Sequence, residues 1–164
     1  MKMLLQYLVV LLLCSGCAHD MYGNMTDLSD RQLATIADKT VAYMTEYWLP
    51  AKTKLAVPVS EKPNVFHGYF VERLRKVGYG VYEYKQNYVD EVGSKVGNGL
   101  NGYIELRYLI DQERYDEGNE YYRVLVFVGG DSIGGAFKPG KGGTVSVIGS
   151  WSHKIQHVVD HGQL

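Results

Sequence analysis

The sequence predicts an α+β domain, with two helices packed on one mixed β-sheet of about five strands. Three observations predict it. Apolar residues recur at helical spacing over 33–48 and again over 66–77. A strand-like run lies on either side of the second stretch. The C-terminal half alternates apolar and polar residues over three further runs.

Ser29 opens the first helix, with Gln32 three residues later as a capping box. Leu33, Ile36, Ala37, Thr40, Val41, Met44 and Trp48 make its apolar stripe, and Pro50 stops it. Thr53–Val59 alternates Leu55, Val57 and Val59 with polar or small residues, and Pro58 places this strand at an edge or at its end. Pro63-Asn64 begins the second helix. Phe66, Phe70, Leu74 and Val77 form its stripe, Glu72, Arg73, Arg75 and Lys76 face water, and Gly78 is the C-cap. Gly80–Tyr84 reads as a strand, which completes a β-α-β unit, normally right-handed with parallel strands.

Lys85 to Asn101 is polar and glycine-bearing and reads as a mobile loop. Beyond it, Ile104, Leu106, Tyr108 and Ile110 alternate with Glu105, Arg107 and Asp111. Tyr122, Val124, Val126 and Val128 alternate with Tyr121, Arg123, Leu125 and Phe127, after a turn at Asp116–Asn119. Gly129–Gly143 leads on to a last strand with Val145, Val147 and Trp151, with a short strand near Ile133–Phe137 on the way. The strand Tyr121–Val128 is apolar on both faces. Either it is central and covered on both sides, or Tyr121, Leu125 and Phe127 meet a protein partner. One domain over 28–152 and a polar tail over 153–164 follow.

The N-terminus reads as targeting. Met1-Lys2 is a positive start, and Leu4 to Leu13 is an apolar run broken at Gln6 and Tyr7. The run is too short to span a bilayer, which takes roughly 20 residues. Ser15-Gly16-Cys17 then resembles a bacterial lipobox, with Cys14 standing where a leucine is usual. Residues 1–16 are therefore expected to be a lipoprotein signal peptide, and 17–27 the lipidated Cys17 with a short linker. The chain has 2 cysteines. Removal of Cys14 with the signal leaves Cys17 alone, with no partner for an intramolecular disulfide. Ten extended linker residues reach at most about 35 Å, so the domain stays close to its membrane.

Composition narrows the function. With 17 Lys and Arg against 18 Asp and Glu, no basic excess exists to grip nucleic acid. The 14 tyrosines suit strands and interfaces alike. Gly130-Asp131-Ser132-Ile133-Gly134 matches the nucleophile-elbow pattern, yet Gly134, Gly135 and Pro139 oppose the helix an elbow needs. A bent strand or hairpin is expected there. His153, His157 and His161 are spaced by four, as metal ligands on a helix would be, but the strand pattern before them favours a solvated tail. Gly140–Thr144 lacks the phosphate-loop spacing. No enzyme activity, cofactor, metal or small-molecule substrate is expected.

At this point the chain resembles the TrbH family, lipoproteins of conjugal transfer (mating-pair formation) systems. The likeness is carried by Tyr22-Gly23-Asn24, Pro50-Ala51-Lys52-Thr53, Leu74-Arg75 with Gly78-Tyr79 and Tyr84, and Leu106-Arg107-Tyr108 with Asp111-Gln112. Tyr122-Arg123, Val128-Gly129-Gly130-Asp131-Ser132 and Gly149-Ser150-Trp151-Ser152 continue it. The resemblance implies a structural part in a type IV secretion apparatus, with other core-complex proteins as partners. Only Cys17 carries a family role. Ala18 rather than aspartate after that cysteine implies, by the general sorting rule, the periplasmic face of the outer membrane. Two other readings fit the sequence less well. One is a lipoprotein regulator of a peptidoglycan-synthesis enzyme, for which the linker is short. The other is a hydrolase using Ser132.

Overall fold

The computed structural model describes residues 22–24, 26–59, 64–85, 102–116 and 119–155. Helix α1 spans Asp30–Met44 and starts at the expected cap: Gln32 Oε1 accepts from the Ser29 backbone N–H at 3.0 Å and from its hydroxyl at 2.8 Å. The buried side chains are Leu33, Ile36, Ala37, Thr40, Val41 and Met44. Trp48, expected on the same stripe, lies beyond the helix. The Thr45 hydroxyl donates back to the Ala42 carbonyl at 2.7 Å, a bond that competes with helix continuation. A 3₁₀ turn at Pro50–Lys52 completes the exit.

Helix α2 spans Val65–Lys76, and Asn64 caps it by accepting from the His67 N–H at 3.2 Å. Phe66, Phe70, Val71 and Leu74 are buried. Val77, expected with them, is at the C-cap and exposed. Gly78 follows at φ +102°, the left-handed closure that only glycine adopts cheaply.

Among the described residues seven strands form one sheet: β1 (Gly23–Asn24), β2 (Lys54–Val59), β3 (Gly80–Lys85), β4 (Ile104–Asp116), β5 (Asn119–Val128), β6 (Asp131–Pro139) and β7 (Val145–Lys154). The order is β3-β2-β4-β5-β6-β7, and β1 also pairs with β4. β2 and β3 are parallel around α2, as are the β2–β4 and β1–β4 pairs, while β4 to β7 run antiparallel. The α+β class and the mixed sheet are as expected, but about five strands is too few. β1 has two residues and leaves no pattern. β6, expected as a short strand, runs for nine residues through Gly134 and Gly135. Those glycines lower strand propensity, yet neighbours demand them. A Cβ on Gly135 would lie 2.5 Å from Trp151, and one on Gly134 3.0 Å from Leu125.

Further differences follow at the ends. Gly23–Asn24, expected as linker, pairs with Leu109 and Ile110. Strand β7 continues through His153 and Lys154, where the tail was expected to begin. The Lys85–Asn101 loop, from residue 86 on, lies outside the described residues, as do Cys17 and the signal region.

Both helices cover one face of the sheet. Leu106, Tyr108 and Ile110 of β4, Tyr122, Val124, Val126 and Val128 of β5, and Ile133 and Phe137 of β6 join their side chains in one core.

Candidate interaction surface

Strand alternation fixes what the opposite face carries. Arg107, Leu109 and Asp111 on β4 stand directly across from Phe127, Leu125 and Arg123 on β5. Leu125 also faces Gly134, and Phe127 faces Ser132. Tyr121, Leu125 and Phe127, the candidate interface residues, therefore share the face that the helices leave open, and all three are half-buried. Glycine opposite Leu125 leaves the surface flat there.

The face is braced by charge pairs. Arg123 holds Asp111 with two bonds, Nε to Oδ1 at 3.1 Å and Nη2 to Oδ2 at 2.6 Å. Arg107 and the Tyr84 hydroxyl both donate to Glu105 Oε1, at 2.9 and 2.6 Å. Burial, and then the bond to Glu105, push the Tyr84 phenol above its ordinary range, which keeps it the donor.

Tyr22 separates Phe127 from the other two candidates. Its ring meets Phe127 edge-on at 6.0 Å, and the Arg107 guanidinium lies 4.9 Å from its centre. Phe127 is thus engaged by its own chain. The sequence signal was present as Tyr22-Gly23-Asn24, but a two-residue strand inside a polar stretch reads as linker. A second aromatic pair was also missed. Tyr82 and Tyr103 lie 5.9 Å apart on this face, with Lys54 Nζ 5.7 Å from the Tyr103 ring.

Where β2 and β1 part along the edge of β4, a polar cluster fills the fork. His67 Nε2 lies 3.0 Å from Glu83 Oε1, and His67 Nδ1 3.2 Å from the Tyr108 hydroxyl. Asn64 Nδ2 donates to that hydroxyl at 2.9 Å, and Arg75 to Glu83 at 2.7 Å. With Nε2–H donated to the carboxylate, Nδ1 is the acceptor for Tyr108 O–H, and every member is satisfied. The group has the composition of a proton relay. However, Tyr108 is buried, and burial raises its phenol, so it offers no reactive oxygen to solvent. The cluster is a brace for the split sheet.

Burial pushes the Glu83 carboxyl up, but the bonds and charges of His67 and Arg75 outweigh it and hold the group below its ordinary 4.5. A depressed folded value stabilises above that ordinary value and is lost as pH falls through the folded one. Glu83→Gln is therefore expected to cost roughly 1 kcal/mol at neutral pH and less in acid, where both proteins converge. Urea melts at neutral pH and near pH 3 check this; a cost that persists undiminished in acid would mean the carboxylate charge is not what matters.

Among the described residues Ser132 has no histidine across from it in the sheet. Its partner across the ladder is Lys154, whereas His153 pairs with Ile133, so serine and histidine point to opposite faces. His153 Nδ1 is instead 3.0 Å from the Tyr47 hydroxyl, with the rings 4.6 Å apart. A cleft of about 50 Å³ lies here, lined by Tyr47, Trp48, Ile133, His153 and Ile155 among others. The segment is a hairpin strand, with Gly129 at φ +60° in the turn, not an elbow. His157 and His161 lie outside the described residues. Among the described residues no helix is long and apolar enough to cross a membrane.

The family model described as conjugal transfer protein TrbH matches residues 18–155, most of the chain. The chain belongs to the TrbH family. It is accordingly a component of conjugal transfer, in a family of transfer components that is not a known enzyme family. The match takes in the whole described sheet, including Tyr22, the open face and the braced fork. No curated protein and no solved structure matches this TrbH-family chain. The match gives no support to regulation of a peptidoglycan enzyme.

Proposed function

We propose that this TrbH-family protein is an outer-membrane-anchored lipoprotein of a conjugative type IV secretion (mating-pair formation) apparatus. Lipid on Cys17 holds it to the periplasmic face, and the domain serves assembly by binding other core-complex proteins. The observation that carries the reading is the match of residues 18–155 to a conjugal transfer family, and the lipobox-like Ser15-Gly16-Cys17 supports the anchor. The open sheet face supplies the binding surface, with Leu125 at its centre, Tyr121 toward one end and Phe127 beneath Tyr22 at the other. Aromatic and aliphatic residues at the centre of an interface carry most of its energy.

Leu125→Ser tests the surface. Truncating a central residue of this kind costs about 2 kcal/mol of binding, roughly 30-fold. The variant is expected to keep its thermal stability and its membrane fraction, yet to lose co-purification with the transfer apparatus and to lower mating frequency. Unfolding of the isolated variant would reassign Leu125 to the core. A stable variant with full co-purification would remove this face from the assembly role.

A further inference from the structure

We propose that the end of the open face around Tyr22, Tyr82 and Tyr103 rests against the phospholipid headgroup layer, so that the domain is held with this end toward the bilayer and the Leu125–Tyr121 end away from it. The inference rests on lipid attachment at Cys17, as proposed above, and adds the orientation in which the lipid holds the domain.

Geometry comes first. The chain enters the described fold at Tyr22, whose ring lies on the open face between Phe127 and Arg107. Its successor Gly23 is already in register with Leu109. Cys17 stands five residues earlier, a span of at most about 18 Å when fully extended. The helices form a layer about 10 Å thick on the other side of the sheet. A tether this short keeps the bilayer within about 18 Å of Tyr22. Tyr22 lies on the open face against Phe127, so the approach that leaves this contact in place with the shortest path is from that side.

Chemistry agrees. Tyr22 is 40% exposed and Tyr82 47%, so two large side chains at this end of the open face meet solvent. Tyrosine has an apolar ring and a polar tip, the form enriched where bilayer meets water. Lys54, beside Tyr103, can lay its stem along apolar surface and give its ammonium to lipid phosphate. Glu105, on the same face, is already paired with Arg107 and accepts a hydrogen bond from Tyr84. Tyr121 lies some 20 Å further along β5, which leaves that end of the face to a protein partner.

The test is hydroxyl-radical footprinting of tyrosines, read by mass spectrometry. The full-length lipidated protein, in vesicles of phosphatidylethanolamine and phosphatidylglycerol, is compared with Cys17→Ser protein free in solution. Intact mass and vesicle flotation are measured on the same samples. The proposal expects several-fold slower labelling of Tyr22, Tyr82 and Tyr103 on vesicles, with Tyr47 and Tyr69 of the helical side unchanged. Lipidated, floating protein whose Tyr22, Tyr82 and Tyr103 label as fast as in solution overturns the orientation and leaves the anchor standing. Protection of Tyr47 and Tyr69 instead also overturns it. Protein without lipid, or protein that does not float, overturns the anchor itself and the orientation with it.

Discussion

Cys17→Ser is expected to release the protein from the membrane and to lower mating frequency on the order of 10²-fold, because the lipid acts by concentrating the domain where its partners are. No surface of the domain changes in this variant. Acyl chains contribute about 0.8 kcal/mol per buried methylene, and several together make the attachment stable. The measurements are lipid labelling, the membrane fraction and transfer between cells. A wild-type protein whose intact mass shows an unmodified cysteine would sink the anchor, and normal transfer by the released variant would sink its role. A loss caused by misfolding is excluded if the purified variant melts like the wild type.

Gly135→Ala is expected to have the largest effect on the fold itself. The added Cβ would fall 2.5 Å from Trp151 Cζ3 and 2.6 Å from its Cε3. The indole has little room to move away. It is stacked on Tyr43 of α1 at 4.6 Å and meets Phe137 edge-on at 5.6 Å. Relief therefore requires α1 to shift on the sheet, and such overpacking costs about 3 kcal/mol. That is a large part of the roughly 5–15 kcal/mol that holds a domain together, and a fall of roughly 10 °C in Tm is expected. The double variant with Trp151→Leu should lose much less than the sum of the two singles, since the second change removes what the first collides with. A Gly135→Ala protein melting within a degree or two of the wild type would mean that the ring does not lie over this glycine.

The helices were legible because their signals are local. Ser29 and Gln32 are three residues apart and bond to each other. Phe66, Phe70 and Leu74 share a face by spacing alone. The β4–β5 hairpin was legible for the same reason, since alternation and a turn at Asp116–Asn119 determine its register. Strand β6 was harder, because Gly134 and Gly135 look like loop residues until Leu125 and Trp151 are in place above and below them. The candidate surface was half legible. A strand apolar on both faces marked Tyr121, Leu125 and Phe127, but nothing local to Phe127 announced that Tyr22 would lie on it. The His67 cluster was invisible for the same reason. Its members come from α2, β3 and β4, and only the fork in the sheet brings them together.

The parallel pairing of β1 with β4 also sets an order of events. Gly23 has Leu109 as its partner, far along the chain. Contacts of such separation form later than hairpins and helices. In a chain that crosses a membrane amino end first, the place for β1 does not exist until β4 has arrived and folded against β5. The processing proposed for Cys17 then has the whole interval of translocation in which to occur, with no sheet to obstruct the enzymes that would carry it out. Seating of Tyr22 on Phe127 comes only when the hairpin is complete, so on the proposed lipidation the clasp between tether and domain closes after the anchor has been attached.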